Sequence, residues 1–203
     1  AQAEKLRRLC RLVDLSPRDR QLAIGPGGGS LAVTAAGDFG ADVTTTTISS
    51  NQFQGAEKRV RDAGLSQRIK ILQQDYRDVA GTYDTLLSCE MIEAVGARYL
   101  PDYLRSCAAR LRPGGILGLQ AITIDEKHYA SALRSVDYIK RHVFPGSFIP
   151  SVSAIVQAAS EHTDLKLVKM EDVTIETIAA AVRDVLEPIA FLHGKPLFGT
   201  PLD

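Results

Sequence analysis

Gly25-Pro26-Gly27-Gly28-Gly29-Ser30 stands between the apolar run Leu22-Ala23-Ile24 and the small-residue stretch 31–36, the layout of a strand-to-helix turn. Glycines in such a turn adopt positive φ and let backbone N–H groups approach a bound nucleotide, an approach that any Cβ would obstruct. The same residues also suit plain close packing of a strand on its helix, so the turn needs supporting residues before it counts as a binding element. Cysteine and histidine narrow the chemistry further. Cys10, Cys89 and Cys107 are odd in number and lack the paired spacing of zinc or redox sites, which favours reduced, buried thiols in a cytoplasmic protein. His128, His142, His162 and His193 share no helical spacing, so no metal centre is expected.

The residues after the turn discriminate among nucleotides. A nicotinamide-binding unit places Asp or Glu at the end of its second strand, about 20 residues past the turn, to hold the ribose hydroxyls. The sequence there is Thr45-Thr46-Thr47-Ile48-Ser49, and the third glycine of a Gly-x-Gly-x-x-Gly fingerprint falls on Ser30. A triphosphate-binding loop requires Gly-Lys-Ser/Thr, and no lysine follows these glycines. The pattern suits a nucleoside of little negative charge held by backbone, hydroxyls and amides, a description that S-adenosylmethionine meets.

These residues need a scaffold, and the periodicity supplies one. Leu6, Leu9, Cys10 and Val13 recur at helical spacing, and Ser16-Pro17 ends that helix before the Leu22–Ile24 strand. Further strands are predicted at 41–46, 69–72, 83–88 and 116–122. Between them come the turn's own helix, a helix marked by Phe53, Ala56 and Val60, and a helix opened by Pro101. Arg112-Pro113-Gly114-Gly115 reads as the turn into the last of these strands. Strands alternating with helices imply an α/β, Rossmann-like, doubly wound and mainly parallel sheet covered on both faces. The 203 residues fit one such domain, 1–203, with 125–150 inserted as a lid or substrate segment. A helix with Val152, Ile155, Val156 and Ala159, a sixth strand at 165–168 and a helix near 175–186 complete the expectation. With 24 basic and 24 acidic residues the chain has no net pull toward nucleic acid. It shows neither a long apolar span nor the apolar centre of a signal peptide at its start, which predicts a soluble cytoplasmic protein.

Six further blocks occur in one order: Thr-Thr-Thr-Thr-Ile-Ser-Ser-Asn-Gln at 44–52, Gln-Asp-Tyr-Arg-Asp at 74–78, Ser-Cys-Glu-Met-Ile-Glu-Ala-Val-Gly at 88–96, Arg-Pro-Gly-Gly at 112–115, Gln-Ala-Ile-Thr-Ile at 120–124, and 135–150 with Tyr138-Ile139-Lys140 and Phe144-Pro145-Gly146. Together with the glycine turn they resemble the cyclopropane-fatty-acyl-phospholipid synthase family, which includes the mycolic acid cyclopropane synthases and is a branch of class I methyltransferases. The resemblance covers residues 1–175. It implies that Gly25, Gly27 and Gly29 line the methionine end of S-adenosylmethionine, Thr47, Ile48 and Gln52 the ribose, and Asp75 and Tyr76 the adenine, with Cys89 as an apolar wall. The alternative for Tyr76 is a half-buried packing aromatic.

The family transfers a methyl group from a sulfonium to the double bond of an unsaturated acyl chain, and a base then removes a proton as the ring closes. The resemblance implies that the base is a bound bicarbonate, held in part by Glu93 and the backbone of Ile122, with Gln120 beside it. The alternative for Glu93 is a solvated cap of the helix near Tyr99. Tyr129, Tyr138, Phe144 and Phe148 in the 125–150 segment are expected to pack inward as a lid, with peripheral contact to a bilayer as the other reading.

Several positions depart from the family pattern. Ala23 stands where an acidic residue precedes the turn, Gly28 where the turn carries an aromatic, Thr45 where the second strand has glycine, and Ala94 where histidine follows the glutamate. The tail at 176–184 does not carry the family's tyrosine, and the match begins at the helix 3–13, after the family's N-terminal section with its Tyr-Ser-Cys motif, as in either a piece of a longer protein or a diverged homologue. Three functions therefore follow: a C-methyltransferase acting on an unsaturated acyl chain, a small-molecule methyltransferase on the same scaffold, and a non-catalytic homologue with weak cofactor binding.

Overall fold

The computed structural model describes residues 2–25, 27–136 and 139–171. Five strands form one parallel sheet: β1 (Arg20–Ile24), β2 (Asp42–Thr46), β3 (Ile69–Leu72), β4 (Tyr83–Cys89) and β5 (Leu111–Gln120). Their order is β3-β2-β1-β4-β5, so the chain runs outward in one direction from β1 and then returns to pair β4 on its other side. The carboxyl ends of β1 and β4 therefore bound a crevice at which the strand order reverses, the place where such sheets take ligands.

Helices α1 (Gln2–Leu12), α2 (Ser30–Phe39), α3 (Ser50–Asp62), α4 (Leu100–Ala109), α5 (Glu126–Arg134) and α6 (Val152–His162) surround the sheet. Strand residues alternate between two cores. Ala23, Val43 and Leu87 pack with Leu6, Leu9, Cys10, Leu31, Ala35 and Val60 of α1–α3. Leu22, Ile24 and Leu86 pack with Tyr103, Leu104 and Cys107 of α4, Phe148, and Ala158 of α6. Burial on both faces is what a doubly wound parallel sheet requires, and it matches the apolar run Leu22-Ala23-Ile24 of β1.

Two predicted elements are corrected. Arg112–Gly115 belongs to β5 itself rather than to a turn before it, and the register slips opposite Tyr83 and Thr85. Leu111 faces Tyr83 and Ile116 faces Thr85, so Arg112–Gly115 bulge opposite Asp84 alone, with Gly114 at φ 78°; a Cβ on Gly115 would stand 2.9 Å from the Asp84 carbonyl oxygen, so the bulge admits only glycine there. The strand also ends at Gln120, two residues early, and beyond it the Ile122 N–H donates to the Glu93 carboxylate instead of to a neighbouring strand. The predicted strand at 165–168 does not form; Leu167 and Val168 are exposed and pair with no neighbouring strand. Apolar alternation alone cannot make a strand without an edge to join. The expected helix near 175–186 and the tail positions lie outside the described residues.

The 125–150 segment leaves and returns at one point, since the Ile124 N–H donates to the Pro150 carbonyl at 3.0 Å. It contains α5 and a π turn at Ile139–Val143, and Ser151 caps α6 by accepting from the Ala154 N–H. Its aromatics divide: Phe148 is buried, Tyr129 is half-buried and Phe144 is exposed, so inward packing holds for only part of the set, and Tyr138 lies outside the described residues. Among the described residues no helix is long and apolar enough to cross a membrane.

Candidate functional site

The glycine turn follows β1 at the crevice. Gly25 has φ 73°, and a Cβ there would meet the Cβ of Met91 at 2.5 Å, so only glycine fits between the end of β1 and the segment after β4. Gly29, at φ 83°, begins α2, and its Cβ would lie 3.1 Å from that of Ala56 on α3. Gly27 faces open space, which leaves room for a ligand along the turn. Both readings of the turn therefore hold at different residues: Gly25 and Gly29 permit close packing, and Gly27 borders free volume.

At the end of β2 the hydroxyls are organised internally. Thr46 donates to the Gln74 carbonyl, which ties β2 to the segment after β3. Thr47 donates to the Gln52 side-chain carbonyl at 2.8 Å and accepts from the Ser49 N–H at 3.2 Å. Ser49 caps α3 by accepting from the Gln52 N–H, and Ile48 projects from the same corner fully into the open, at 75 % exposure. The bond to Thr47 engages the Gln52 carbonyl and leaves its NH2 group as the donor available to a ligand.

After β3, Asp75 accepts from both the backbone and the guanidinium of Arg77 at 2.8–2.9 Å. The hydrogen bond and charge of Arg77 hold its carboxyl below the usual carboxylate range, so it is ionised and keeps lone pairs for a further donor. Tyr76 is half-buried with its ring edge-on to Tyr103, centroids 5.5 Å apart. Tyr76 thus packs on Tyr103 as the packing alternative expects, and the Arg77 guanidinium stands 6.0 Å from its ring centroid. Tyr103, fully buried, donates to Ser88 at 2.6 Å and anchors α4 to the end of β4.

Beyond β4 the character of the site changes. Cys89 donates to the Gln120 side-chain carbonyl at 2.9 Å, and burial pushes its thiol pKa up, which makes it a neutral wall rather than a nucleophile. Glu90 has φ 50°, uncommon for a residue with a Cβ; its N–H donates to the Gln120 backbone carbonyl and its carboxylate pairs with Lys5 at 2.7 Å. Glu93 lies in a short 3₁₀ turn, Ile92–Ala94. Its Oε1 accepts from the Ile122 N–H at 2.5 Å, while its Oε2 is buried and has no hydrogen-bond partner. The backbone carbonyl of Glu93 accepts from Phe148, which fixes the turn to the returning end of the 125–150 segment. This overturns the solvated-cap alternative: the carboxylate reaches the segment just after β5 and does not cap α4, whose first turn shows no side-chain cap.

The structure thus gathers Gly25, Gly27, Gly29, Thr47, Ile48, Gln52, Asp75, Tyr76, Cys89, Glu93, Gln120 and Ile122 at the carboxyl edge of one sheet. Sequence reading missed Lys5, Glu90, Arg59 and the Tyr103–Ser88 bond. Lys5 and Glu90 are 85 residues apart, and a lone charged pair at that separation leaves no periodic trace. Two departures from the family pattern prove to be neighbours. Ala23 and Thr45 face each other in the β1–β2 register, and the Thr45 hydroxyl donates to the Ala23 carbonyl at 3.2 Å. At a third, Gly28, the Arg59 guanidinium comes within 3.6 Å of where a Cβ would stand and contacts the Ser30 hydroxyl.

Comparison with known proteins bears on the same residues. The family model described as mycolic acid cyclopropane synthetase matches residues 1–180. The tuberculostearic acid methyltransferase of Mycobacterium tuberculosis is 38 % identical over 168 residues, which are 83 % of this chain and 39 % of that protein. The cyclopropane-fatty-acyl-phospholipid synthase of Escherichia coli K12 is 35 % identical over 162 residues, 80 % of this chain and 40 % of that protein. The chain therefore spans about two fifths of the length of the curated relatives it matches. Among solved structures, a mycolic acid cyclopropane synthase complexed with SAH and CTAB superposes with a TM-score of 0.75 at 19 % identity, over 96 % of this chain and 73 % of that one, which shows the shared fold.

Proposed function

Because the chain belongs to the mycolic acid cyclopropane synthetase family, we propose that it forms the S-adenosylmethionine-binding, methyl-transferring part of an enzyme that adds one carbon to the double bond of an unsaturated acyl chain. The single observation that carries this reading is Glu93: a carboxylate held by one oxygen to Ile122 with the other oxygen buried and unpaired, across the crevice from the glycine turn. A buried acceptor without a donor costs stability unless a ligand or a proton completes it, and such an atom in a ligand crevice marks a place of chemistry.

Bound S-adenosylmethionine supplies an electrophilic methyl group on a sulfonium. An alkene carries no ionised nucleophile, so the protein's part is to align the two groups and to place a proton acceptor beside the new carbon. The Gln52 NH2 and the Asp75 carboxylate complement hydroxyl and amine groups of the nucleoside, the glycine turn admits its amino-acid end, and the neutral Cys89 walls it. Glu93 Oε2 fits the O–H of bicarbonate, a base when bound; the Ile122 N–H is already engaged by Glu93 and does not add a second contact. Gln120, turned toward Cys89 and Glu90, serves as the brace of this corner rather than as a proton carrier. The 125–150 segment, hinged where Ile124 meets Pro150, is the cover for the acyl chain, with exposed Ile122, Val136 and Phe144 supplying apolar surface.

Incubation of the protein with methyl-labelled S-adenosylmethionine and phospholipids bearing an unsaturated chain tests the proposal. Label in the lipid with a mass gain of one methylene supports acyl-chain alkylation, and fragmentation distinguishes a ring from a methyl branch. Absence of any heat on calorimetric titration with S-adenosylmethionine would refute it.

A further inference from the structure

The mechanism leaves one ion pair at the crevice without a task. Lys5, in the first turns of α1, reaches Glu90 at the end of β4 with Nζ 2.7 Å from Oε1. We propose that Lys5 and Glu90 form the subsite for the amino-acid end of the cofactor, the lysine ammonium taking the α-carboxylate and the glutamate carboxylate taking the α-ammonium. The inference rests on the reading that this crevice binds S-adenosylmethionine.

Position argues for it first. A Cβ on Gly25 would touch Cys89 and Met91, at 3.4 Å from the carbonyl oxygen of one and 2.5 Å from the Cβ of the other, so Glu90 lies between the two residues that border the glycine turn. The nucleoside corner at Thr47 and Gln52 ends β2, which pairs with β1 on the side opposite β4. An elongated nucleoside lying across Gly25 from that corner brings its far end to Glu90. The Lys5 charge reaches the site floor, since it opposes the upward push that burial gives the Cys89 thiol.

Backbone strain argues for it second. Glu90 is held at φ 50°, and a left-handed residue with a Cβ costs on the order of 1 kcal/mol. Its N–H is fixed on Gln120, which aims this carboxylate at α1 and away from a regular strand end. A partly exposed ion pair contributes only about 0–1 kcal/mol to folding, little return for that geometry. The side chains are 24 % and 46 % exposed, open enough for a ligand to join them. A zwitterion laid against this pair meets each of its charges with an opposite one, the complementarity that selects an amino acid over a bare nucleoside.

The test is calorimetric titration of the whole chain with S-adenosylhomocysteine and with 5′-methylthioadenosine, which keeps the nucleoside and thioether but lacks the amino-acid group. Lys5→Met and Glu90→Gln are each expected to weaken S-adenosylhomocysteine by about tenfold or more while leaving methylthioadenosine within about twofold. The double exchange Lys5→Glu with Glu90→Lys keeps a bridge between α1 and β4 and reverses what it presents, so S-adenosylhomocysteine should stay weak. Recovery of its affinity in the double exchange overturns the proposal, because the pair is then only a strap. Equal weakening of both ligands overturns it as well. A wild-type chain that binds methylthioadenosine and S-adenosylhomocysteine equally keeps the nucleoside reading and sinks the subsite; one that binds neither sinks the cofactor reading itself.

Discussion

The two halves of the crevice are built on opposite plans. On the β2–β3 side, Thr45, Thr46, Thr47, Ser49 and Asp75 all have internal hydrogen-bond partners, and the corner is shaped before any ligand arrives. On the β4–β5 side the backbone is irregular, with Glu90 left-handed, short 3₁₀ turns at Ile92–Ala94 and Ala97–Tyr99, and Glu93 Oε2 buried without a partner. Among the described residues the other orphaned side-chain atoms are Gln21 Oε1 and Thr85 Oγ1, which occupy neighbouring register positions in β1 and β4 within the sheet rather than at its carboxyl edge. On the proposed function the contrast separates recognition from reaction: a preformed corner would bind without reorganisation, and unsatisfied capacity would stand where the proton is to go.

Glu93→Gln is the strongest test of that division. The amide still accepts from Ile122 but replaces the unpaired acceptor with a donor, so turnover into unsaturated lipid should fall by about a hundredfold or more while S-adenosylhomocysteine affinity is retained. Turnover within a few-fold of wild type would show that the β4–β5 side is not the reacting half. Gly25→Ala attacks the joint between the halves. A Cβ 2.5 Å from that of Met91 on a left-handed backbone should cost about 2 kcal/mol or more of unfolding free energy, read from urea denaturation, and cofactor binding should fail with it.

The same division explains what the sequence made legible. The strands, their helices and the nucleoside corner are local patterns: Thr47, Ser49 and Gln52 lie within six residues, and capping chemistry announces them. The reacting half depends on contacts between distant segments, Glu93 with Ile122, Glu90 with Lys5, and Phe148 with Glu93, whose meeting only the sheet order determines. Family resemblance named Glu93 and Ile122, yet the choice between a solvated cap and a carboxylate reaching the segment just after β5 needed the structure. The false strand at 165–168 has a similar origin, since its alternating pattern carried no information about whether an edge was free to receive it. Ala23 and Thr45, separately read as departures, are a matched pair across β1 and β2.

Gln52→Ala sharpens the comparison from the recognition side. Removal of the amide takes away the donor that faces the nucleoside and the acceptor for Thr47. Affinity for S-adenosylhomocysteine should drop about tenfold, with the unfolding midpoint nearly unchanged because Gln52 is exposed on the first turn of α3. A loss of stability equal to the loss of affinity would mean that the corner is structural first.

The smallest effect belongs to the far end of the sheet, which carries both halves equally. Asp84, at the start of β4, accepts from the Arg20 N–H at 2.7 Å and pairs with Arg112 of β5. The hydrogen bond from Arg20, with Arg112 beside it, lowers the carboxyl's pKa in the folded chain. A group with a depressed folded value contributes stability above its ordinary value and loses it as pH falls through the folded one. Asp84→Asn keeps an acceptor for Arg20 and removes the charge, so it should cost about 1 kcal/mol near neutral pH. That difference should shrink toward zero as the pH falls through the lowered folded-state value, where the wild-type carboxyl itself becomes protonated. Because Asp84 stands at the amino ends of the strands, S-adenosylhomocysteine affinity should not move. If affinity falls together with stability, strand-end geometry at the crevice depends on the base of the sheet, and the two halves are not separable in the way their hydrogen bonding implies.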